Sequence, residues 1–291
     1  MQYRILGKTG LKVSAVGFGG IPIQRIDARG TRALMGRLVE KGVNYIDTAR
    51  GYTVSESYLG EALSGGLREK FILATKSMSR GYADMARDIG ISLSNLRTDY
   101  IDLYQLHNIK SDADFELAFS AEGAVAAIQD AIRAGKVGHL GATAHSVDSF
   151  ERLLSYPEIE TIMFPYNIVE SQGEALMERA AAQNVGVIAM KPLAGGNITD
   201  GTLAMRYILQ NKTCTLAIPG MATLEEIEQN TAAAEQDGPL TPEELAACEA
   251  IRAGLSGNFC RRCGYCAPCT VGIDIPGIFT LENYLKHYDL A

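Results

Sequence analysis

Asn44-Tyr-Ile-Asp-Thr48, Phe71-Ile-Leu-Ala-Thr-Lys76 and Tyr100-Ile-Asp-Leu-Tyr-Gln-Leu-His107 read as three β-strands, largely apolar until the final residue or two. A parallel strand buried on both faces has no packing use for an Asp, a Lys or a His near its end. Polar residues at the outgoing ends of successive parallel strands are how a closed α/β barrel builds a site. Tyr52 follows the first of these strands by a short loop, so Asp47, Tyr52, Lys76 and His107 are expected to converge above one rim.

Working outward, strand-like runs begin near Ala15, Asn44, Phe71, Tyr100, Val137, Thr161, Gly186 and Leu216. A segment able to form a helix follows each one. Leu34, Met35, Leu38 and Val39 have helical spacing and close at Lys41-Gly42; Phe150, Leu153 and Leu154 do the same before Pro157. Thr223-Leu-Glu-Glu226 and Thr241-Pro-Glu-Glu244 are capping boxes that start two further helices. The pattern predicts an α/β fold, a (β/α)8 TIM barrel. Residues 3–6 and 11–13 flank Gly7-Lys-Thr-Gly10 as a hairpin able to plug the barrel floor. An open dinucleotide-binding sheet is disfavoured, because Gly17-Phe-Gly19-Gly20 does not complete G-x-G-x-x-G or open a helix. Helical periodicity stops near Gly257, which divides the chain into a barrel over 1–256 and a Cys-rich extension over 257–291.

The 291 residues exceed the usual single-domain size but suit a barrel of about 250 residues with an appendage. Apolar residues make up 47% of the chain, enough for a large core, yet no apolar stretch approaches the roughly 20 residues that span a bilayer. The start, Met1-Gln-Tyr-Arg-Ile-Leu-Gly-Lys8, lacks the apolar core of a signal peptide, so a cytoplasmic location is expected. A net charge of −7 without a Lys/Arg-rich run disfavours nucleic acid and acidic membranes as partners. Small molecules fit better.

Tyr is a poor acid near neutrality, with an ordinary pKa of about 10. A neighbouring ammonium such as that of Lys76 stabilises the phenolate, and a carboxylate such as Asp47 keeps the ammonium charged and in place. The set reads as proton-transfer machinery. It resembles the Asp/Tyr/Lys/His tetrad of the aldo-keto reductases, and Tyr3-Arg-Ile-Leu-Gly7, Gly135-Lys-Val-Gly-His-Leu-Gly141, Pro165-Tyr-Asn167 and Ile218-Pro-Gly220 extend the resemblance along most of the barrel. The resemblance implies that Tyr52 gives a proton to a carbonyl oxygen as hydride leaves a nicotinamide. It implies that His107 orients the carbonyl while Lys76 and Asp47 tune Tyr52.

The same resemblance implies an NAD(P)H site, with departures. Thr143-Ala144 replaces the Ser-Asn pair that holds the carboxamide in better-known members, and Met163 replaces a Gln. Met190 takes the place of the Tyr that stacks on the nicotinamide; a thioether can still lie on a ring. The loop Lys191-Pro-Leu-Ala-Gly-Gly196, with Pro192, Leu193 and Gly195, is expected to receive the pyrophosphate. His145, beside the same rim, can reach nicotinamide or substrate, or make a structural hydrogen bond. Where the family clamps an adenosine 2′-phosphate with cations, this chain has Gly220-Met221 and Glu226. A carboxylate there repels phosphate and can accept ribose hydroxyls, or it serves only its capping box. Gln229 and Asn230 match positions that hold the adenine amino group in relatives.

Cys260-Arg-Arg-Cys263-Gly-Tyr-Cys266-Ala-Pro-Cys269 repeats Cys at a C-x2-C spacing. Zinc sites usually separate two such pairs by a longer loop, whereas bacterial ferredoxins place three Cys at this spacing around one cubane. The segment resembles the ferredoxin-like extension of one aldo-keto reductase branch, so a 4Fe–4S cluster on Cys260, Cys263, Cys266 and Cys269 is expected, with Cys248 the alternative fourth ligand. Cys214 reads as core. The expected activity is hydride transfer between NAD(P)H and an aldehyde or ketone, or the reverse on the alcohol. Two other readings stand beside it: a relay passing electrons through the cluster to a redox protein partner or flavin, and a non-catalytic binding or regulatory subunit. A binding module has no need of a tuned Tyr.

Overall fold

A computed structural model of the chain describes residues 1–236, 238–257, 259–261, 266 and 269–287. Eight parallel strands lie side by side in chain order: β3 (Phe18–Gly19), β4 (Tyr45–Asp47), β5 (Ile72–Ser77), β6 (Ile101–Leu106), β7 (Val137–Thr143), β8 (Thr161–Pro165), β9 (Gly186–Met190) and β10 (Leu216–Ala217). They are preceded by β1 (Tyr3–Ile5) and β2 (Lys12–Ser14), an antiparallel pair. Parallel bridges Val16↔Ala217 and Gly19↔Gly220 join the first barrel strand to the last, so the sheet closes on itself. Helices follow every barrel strand, with more than one after β6 and after β10, and those between strands supply the crossovers that parallel pairing requires. The first barrel strand starts at Phe18 rather than Ala15, and residues 15–17 reach it through backbone bonds such as Gly17 N–H to the Ala217 carbonyl, 2.8 Å.

Two apolar layers result from the period of two along a strand. Tyr45, Ala74, Leu103, Met163, Ile188 and Leu216 point into the barrel and pack together, while Ile46, Leu73, Tyr104, Ile162 and Val187 point outward to the helices. The same alternation carries Asp47, Lys76 and His107 into the barrel, because each stands two or four residues beyond an inward apolar side chain. The capping boxes form as expected at Thr223/Glu226 and Thr241/Glu244.

The hairpin closes the floor. Leu6 and Val13 are fully buried and belong to the interior layer with Tyr45 and Leu216. The link between its strands is a 3-10 turn, Gly7–Thr9, tied to the foot of β9 by Lys8 N–H to the Asn184 carbonyl, 2.7 Å. No helix among the described residues is long and apolar enough to cross a membrane. Truncating a fully buried Leu leaves a cavity, so Leu6→Ala is expected to lower unfolding free energy by about 2–5 kcal/mol in a urea titration. Ile5→Ala, at a side chain 57% exposed, should shift it by less than about 0.5 kcal/mol.

Candidate active site

The rim above β3–β6 is assembled by backbone contacts so close that only glycine fits. A Cβ at Gly20 would lie 2.9 Å from the Asp47 carbonyl oxygen, and one at Gly19 would lie 2.9 Å from that of Ile218. This is the use of Gly17-Phe-Gly-Gly20: it lets the barrel close around Asp47. The Gly20 N–H donates to the Asp47 carbonyl at 2.8 Å, and Ser55 Oγ donates to the Gly20 carbonyl at 2.9 Å.

Inside the rim, Lys76 and Asp47 are both 2% exposed and are hydrogen-bonded to each other. Lys76 Nζ also donates to the Thr48 carbonyl at 2.8 Å, and Gln105 Nε2 donates to the second Asp47 oxygen at 3.1 Å. Burial by itself pulls the Lys76 pKa down, but Asp47 and then Tyr52 outweigh it and the net shift is upward. The ammonium therefore stays charged. It lies 4.9 Å from the centre of the Tyr52 ring.

The Tyr52 loop is held from below. Arg50 N–H donates to the Lys76 carbonyl at 3.0 Å, and the Arg50 guanidinium pairs with Glu56 at 2.9 Å. Glu56 is buried and also accepts from Thr75, Ser92 and Asn95. A buried carboxylate so fully satisfied is a rigid footing. His107 stands edge-on to Tyr52, with ring centres 6.1 Å apart. Burial, with Lys76 and Arg80 nearby, lowers the His107 pKa from 6.5 to about 3. The imidazole is neutral, and its Nδ1 has no hydrogen-bond partner among the described residues. Arg80 caps the strand end by donating to the His107 carbonyl at 2.8 Å.

All four residues line one cavity of about 500 Å³, which also reaches Thr143, His145, Met163, Met190, Lys191, Pro192, Leu193, Gly195, Gly220 and Glu226. That size suits a small-molecule or cofactor site. The loop 191–196 has four residues at positive φ, Lys191 (55°), Ala194 (49°), Gly195 (69°) and Gly196 (98°). For Lys and Ala this backbone is uncommon, and such strain gathers at ligand-holding loops.

Three expected contacts are not brought to the cavity. Ala144 is fully buried in the outer layer, because one residue past inward-facing Thr143 the strand period turns it outward. Asn230 is buried at the start of the helix Gly201–Gln210, and Gln229 donates to the Thr199 carbonyl at 3.4 Å. Neither lines the cavity: Asn230 is turned against that neighbouring helix, and Gln229 is exposed outside it. Thr143 lines it but its Oγ1 already accepts from Asn108 N–H at 2.7 Å. Glu226 serves its cap: one oxygen accepts from the N–H groups of Ala222 and Thr223.

Sequence reasoning passed over Gln105 and the far wall. Gln105 could have been found, since it shares the inward parity of Leu103 and His107. The wall of Phe259, Phe279, Glu282, Asn283 and Lys286 had no such signal, and Cys260 was expected as a cluster ligand rather than as part of this wall. Among the described residues no three Cys, His, Asp or Glu side chains stand grouped as metal ligands. Cys263 lies outside the described residues. Cys260, Cys266 and Cys269 are partly exposed and form no disulfide with one another. Backbone N–H groups of Val271, Ile273 and Gly272 hold the Cys269 thiol below its usual pKa, whereas burial raises that of Cys248.

With this geometry in view, comparison with known proteins is specific. Residues 15–202 match the Aldo/keto reductase family, and the chain belongs to it. It is an NAD(P)-dependent oxidoreductase. L-galactose dehydrogenase of Arabidopsis thaliana is 28% identical over 86% of this chain and 94% of its own length. Among solved structures, the holo form of aldo-keto reductase AKR11C1 from Bacillus halodurans superposes with a TM-score of 0.76 at 26% identity, covering 86% of this chain and 96% of that one. The putative aldo-keto reductase PA4992 of Pseudomonas aeruginosa gives 0.71 at 30% identity, over 80% and 95%.

The depressed His107 pKa yields a test. Its folded value lies below the unfolded one, so its contribution to stability is complete above about pH 6.5 and is lost as pH falls toward 3. In NMR titration, one of the four histidine Hε1 signals should stay flat between pH 8 and 4.5. Substituting His107 should remove that signal.

Proposed function

We propose that this enzyme reduces an aldehyde or ketone, or oxidises the corresponding alcohol, with Tyr52 moving the proton. The observation that carries the reading is the buried Lys76–Asp47 pair set beneath Tyr52 in the same cavity as a neutral His107. When bound, NAD(P)H supplies the hydride. Met190, the loop 191–196 and Gly220 would hold it, and the left-handed Gly195 and Gly196 leave backbone room for a pyrophosphate.

The roles of the side chains follow from their charge states. A neutral imidazole can donate one hydrogen bond to a carbonyl oxygen without releasing a full proton. Tyr52 can then deliver its phenolic proton to that oxygen as negative charge develops there. The Lys76 ammonium stabilises the phenolate left behind, and Asp47 keeps Lys76 charged. Gln105 adds a donor to Asp47 and holds the carboxylate in place. In the oxidative direction the same phenolate accepts the proton from an alcohol.

Gly220, Met221 and Glu226 offer no cation to a 2′-phosphate, so NADH is expected to serve at least as well as NADPH. The cysteine chemistry supports a 4Fe–4S cluster held by Cys260, Cys263, Cys266 and Cys269. The backbone N–H groups around Cys269 favour the thiolate a cluster needs, and the buried, raised Cys248 is the poorer ligand. Such a cluster could supply one-electron chemistry or simply fasten the tail.

Tyr52→Phe is expected to keep nucleotide affinity within about threefold and to lower kcat for carbonyl reduction by a factor on the order of 10²–10⁴. Retention of more than about a tenth of kcat would move the proton donor elsewhere. Anaerobically purified protein is expected to contain about four irons and four acid-labile sulfides per chain. Cys269→Ser should lower both and Cys248→Ser neither; zinc without sulfide would refute the cluster.

A further inference from the structure

The far wall of the cavity comes from the C-terminal segment, and hydrogen bonds fasten it to the loop after β9. Asn283, on the terminal helix Ile275–His287, donates through Nδ2 to the Gly195 carbonyl at 2.9 Å. Its Oδ1 accepts from Asn197 Nδ2 at 2.7 Å. One amide thus grips the strained loop at two points. A Cβ at Gly195 would stand 2.9 Å from Asn283 Nδ2, so the approach itself depends on that glycine.

The segment is fastened a second time. Arg261 Nε donates to the Val169 carbonyl at 3.0 Å. Val169 belongs to a turn organised by the buried Asn167, whose Oδ1 accepts from the N–H groups of Val169 and Glu170 at 2.9 and 3.0 Å. Asn167 Nδ2 in turn donates to the Lys191 carbonyl at 2.9 Å. The hydrogen bonds therefore form a circuit: from Arg261 to Val169, through Asn167 to Lys191, along the loop to Gly195 and back to the tail at Asn283. The loop 191–197 is pinned at both ends, and one pin belongs to the tail.

The two faces of the terminal helix divide accordingly. Phe279, Glu282, Asn283 and Lys286 line the cavity, with spacing i, i+3, i+4, i+7. Ile278, Leu281 and Leu285 are more than half exposed. The helix thus turns Glu282, Asn283 and Lys286, beside Phe279, toward the cavity.

We propose that the C-terminal segment is a strap that completes the nucleotide site, with Asn283 and Arg261 as positioning residues that hold the loop 191–197 in its ligand-ready backbone. This rests on the reductase reading above, in which that loop holds the nucleotide. Without the strap, Lys191 and Ala194 relax from their left-handed conformations, and part of the binding free energy goes into restoring them. Because linkage is reciprocal, nucleotide must also hold the strap down.

The test uses the full-length chain, purified anaerobically. NADH and NADPH are titrated by fluorescence into wild type, Asn283→Ala, Asn283→Asp, Arg261→Ala and the outer-face control Leu281→Ser. Asn283→Ala should weaken both nucleotides at least fivefold, with carbonyl kcat at saturating nucleotide changed less than threefold and the thermal midpoint of the barrel unchanged. Asn283→Asp keeps the acceptor for Asn197 but loses the donor to Gly195, so it should weaken binding as well. Arg261→Ala should weaken both nucleotides at least twofold, and Leu281→Ser should match wild type. In limited proteolysis, NADH should slow cleavage within residues 257–287 of wild type and fail to do so in Asn283→Ala, a readout that a merely structural asparagine would leave unchanged. If both Asn283 variants bind nucleotide within twofold of wild type, the strap is refuted while the reductase reading stands. If wild type binds neither nucleotide, the reductase reading itself falls, and the strap with it.

Discussion

A lysine and an aspartate, both nearly inaccessible to water, are hydrogen-bonded at the top of the barrel interior. Burying two charges costs several kcal/mol per ion unless geometry and further hydrogen bonds compensate. Here the Thr48 carbonyl and the Gln105 amide complete the coordination. The surrounding rim is built to keep that arrangement. Glycines at 19 and 20 let the first and last strands approach, and the loop that returns over the pair is fixed through Arg50 and Glu56. The charge on Lys76 is then available to Tyr52, and the same charge helps keep His107 neutral. One ion pair thus acts on both of these neighbours.

The opposite side of the cavity relies on backbone strain instead of charge. Lys191 and Ala194 sit in a conformation that costs each of them of the order of 1–3 kcal/mol. Asn167, Asn197 and Asn283 offset this through amide groups that reach carbonyls of the loop. The two halves of the site therefore differ in kind. The half bearing Tyr52 and His107 is preorganised by buried electrostatics. The other half is preorganised by hydrogen bonds that come from three separate parts of the chain.

The cysteine run, residues 260–269, contains Arg261 and precedes the terminal helix in sequence, and Cys260 shares the cavity with Tyr52. A tail so placed is a wall of the site as well as an appendage.

The barrel and the tetrad were legible in the chain because both follow from short-range rules. A period of two carries Asp47, Lys76 and His107 to the same side as Tyr45, Ala74 and Leu103. Capping boxes at Thr223 and Thr241 depend only on residues three apart. The hairpin that plugs the floor is equally local. By contrast, Ala144, Gln229 and Asn230 were expected as cofactor contacts from the resemblance to relatives; packing buries Ala144 and Asn230 away from the cavity, and Gln229 stands exposed outside it. The Asn283 and Arg261 contacts were invisible because their acceptors are backbone carbonyls, which every residue possesses and no side-chain pattern announces. Sequence alone determined which residues point inward and which carry charge; only the tertiary structure decided which distant segments meet over them, because such contacts rest on shape and backbone groups rather than on residue identity.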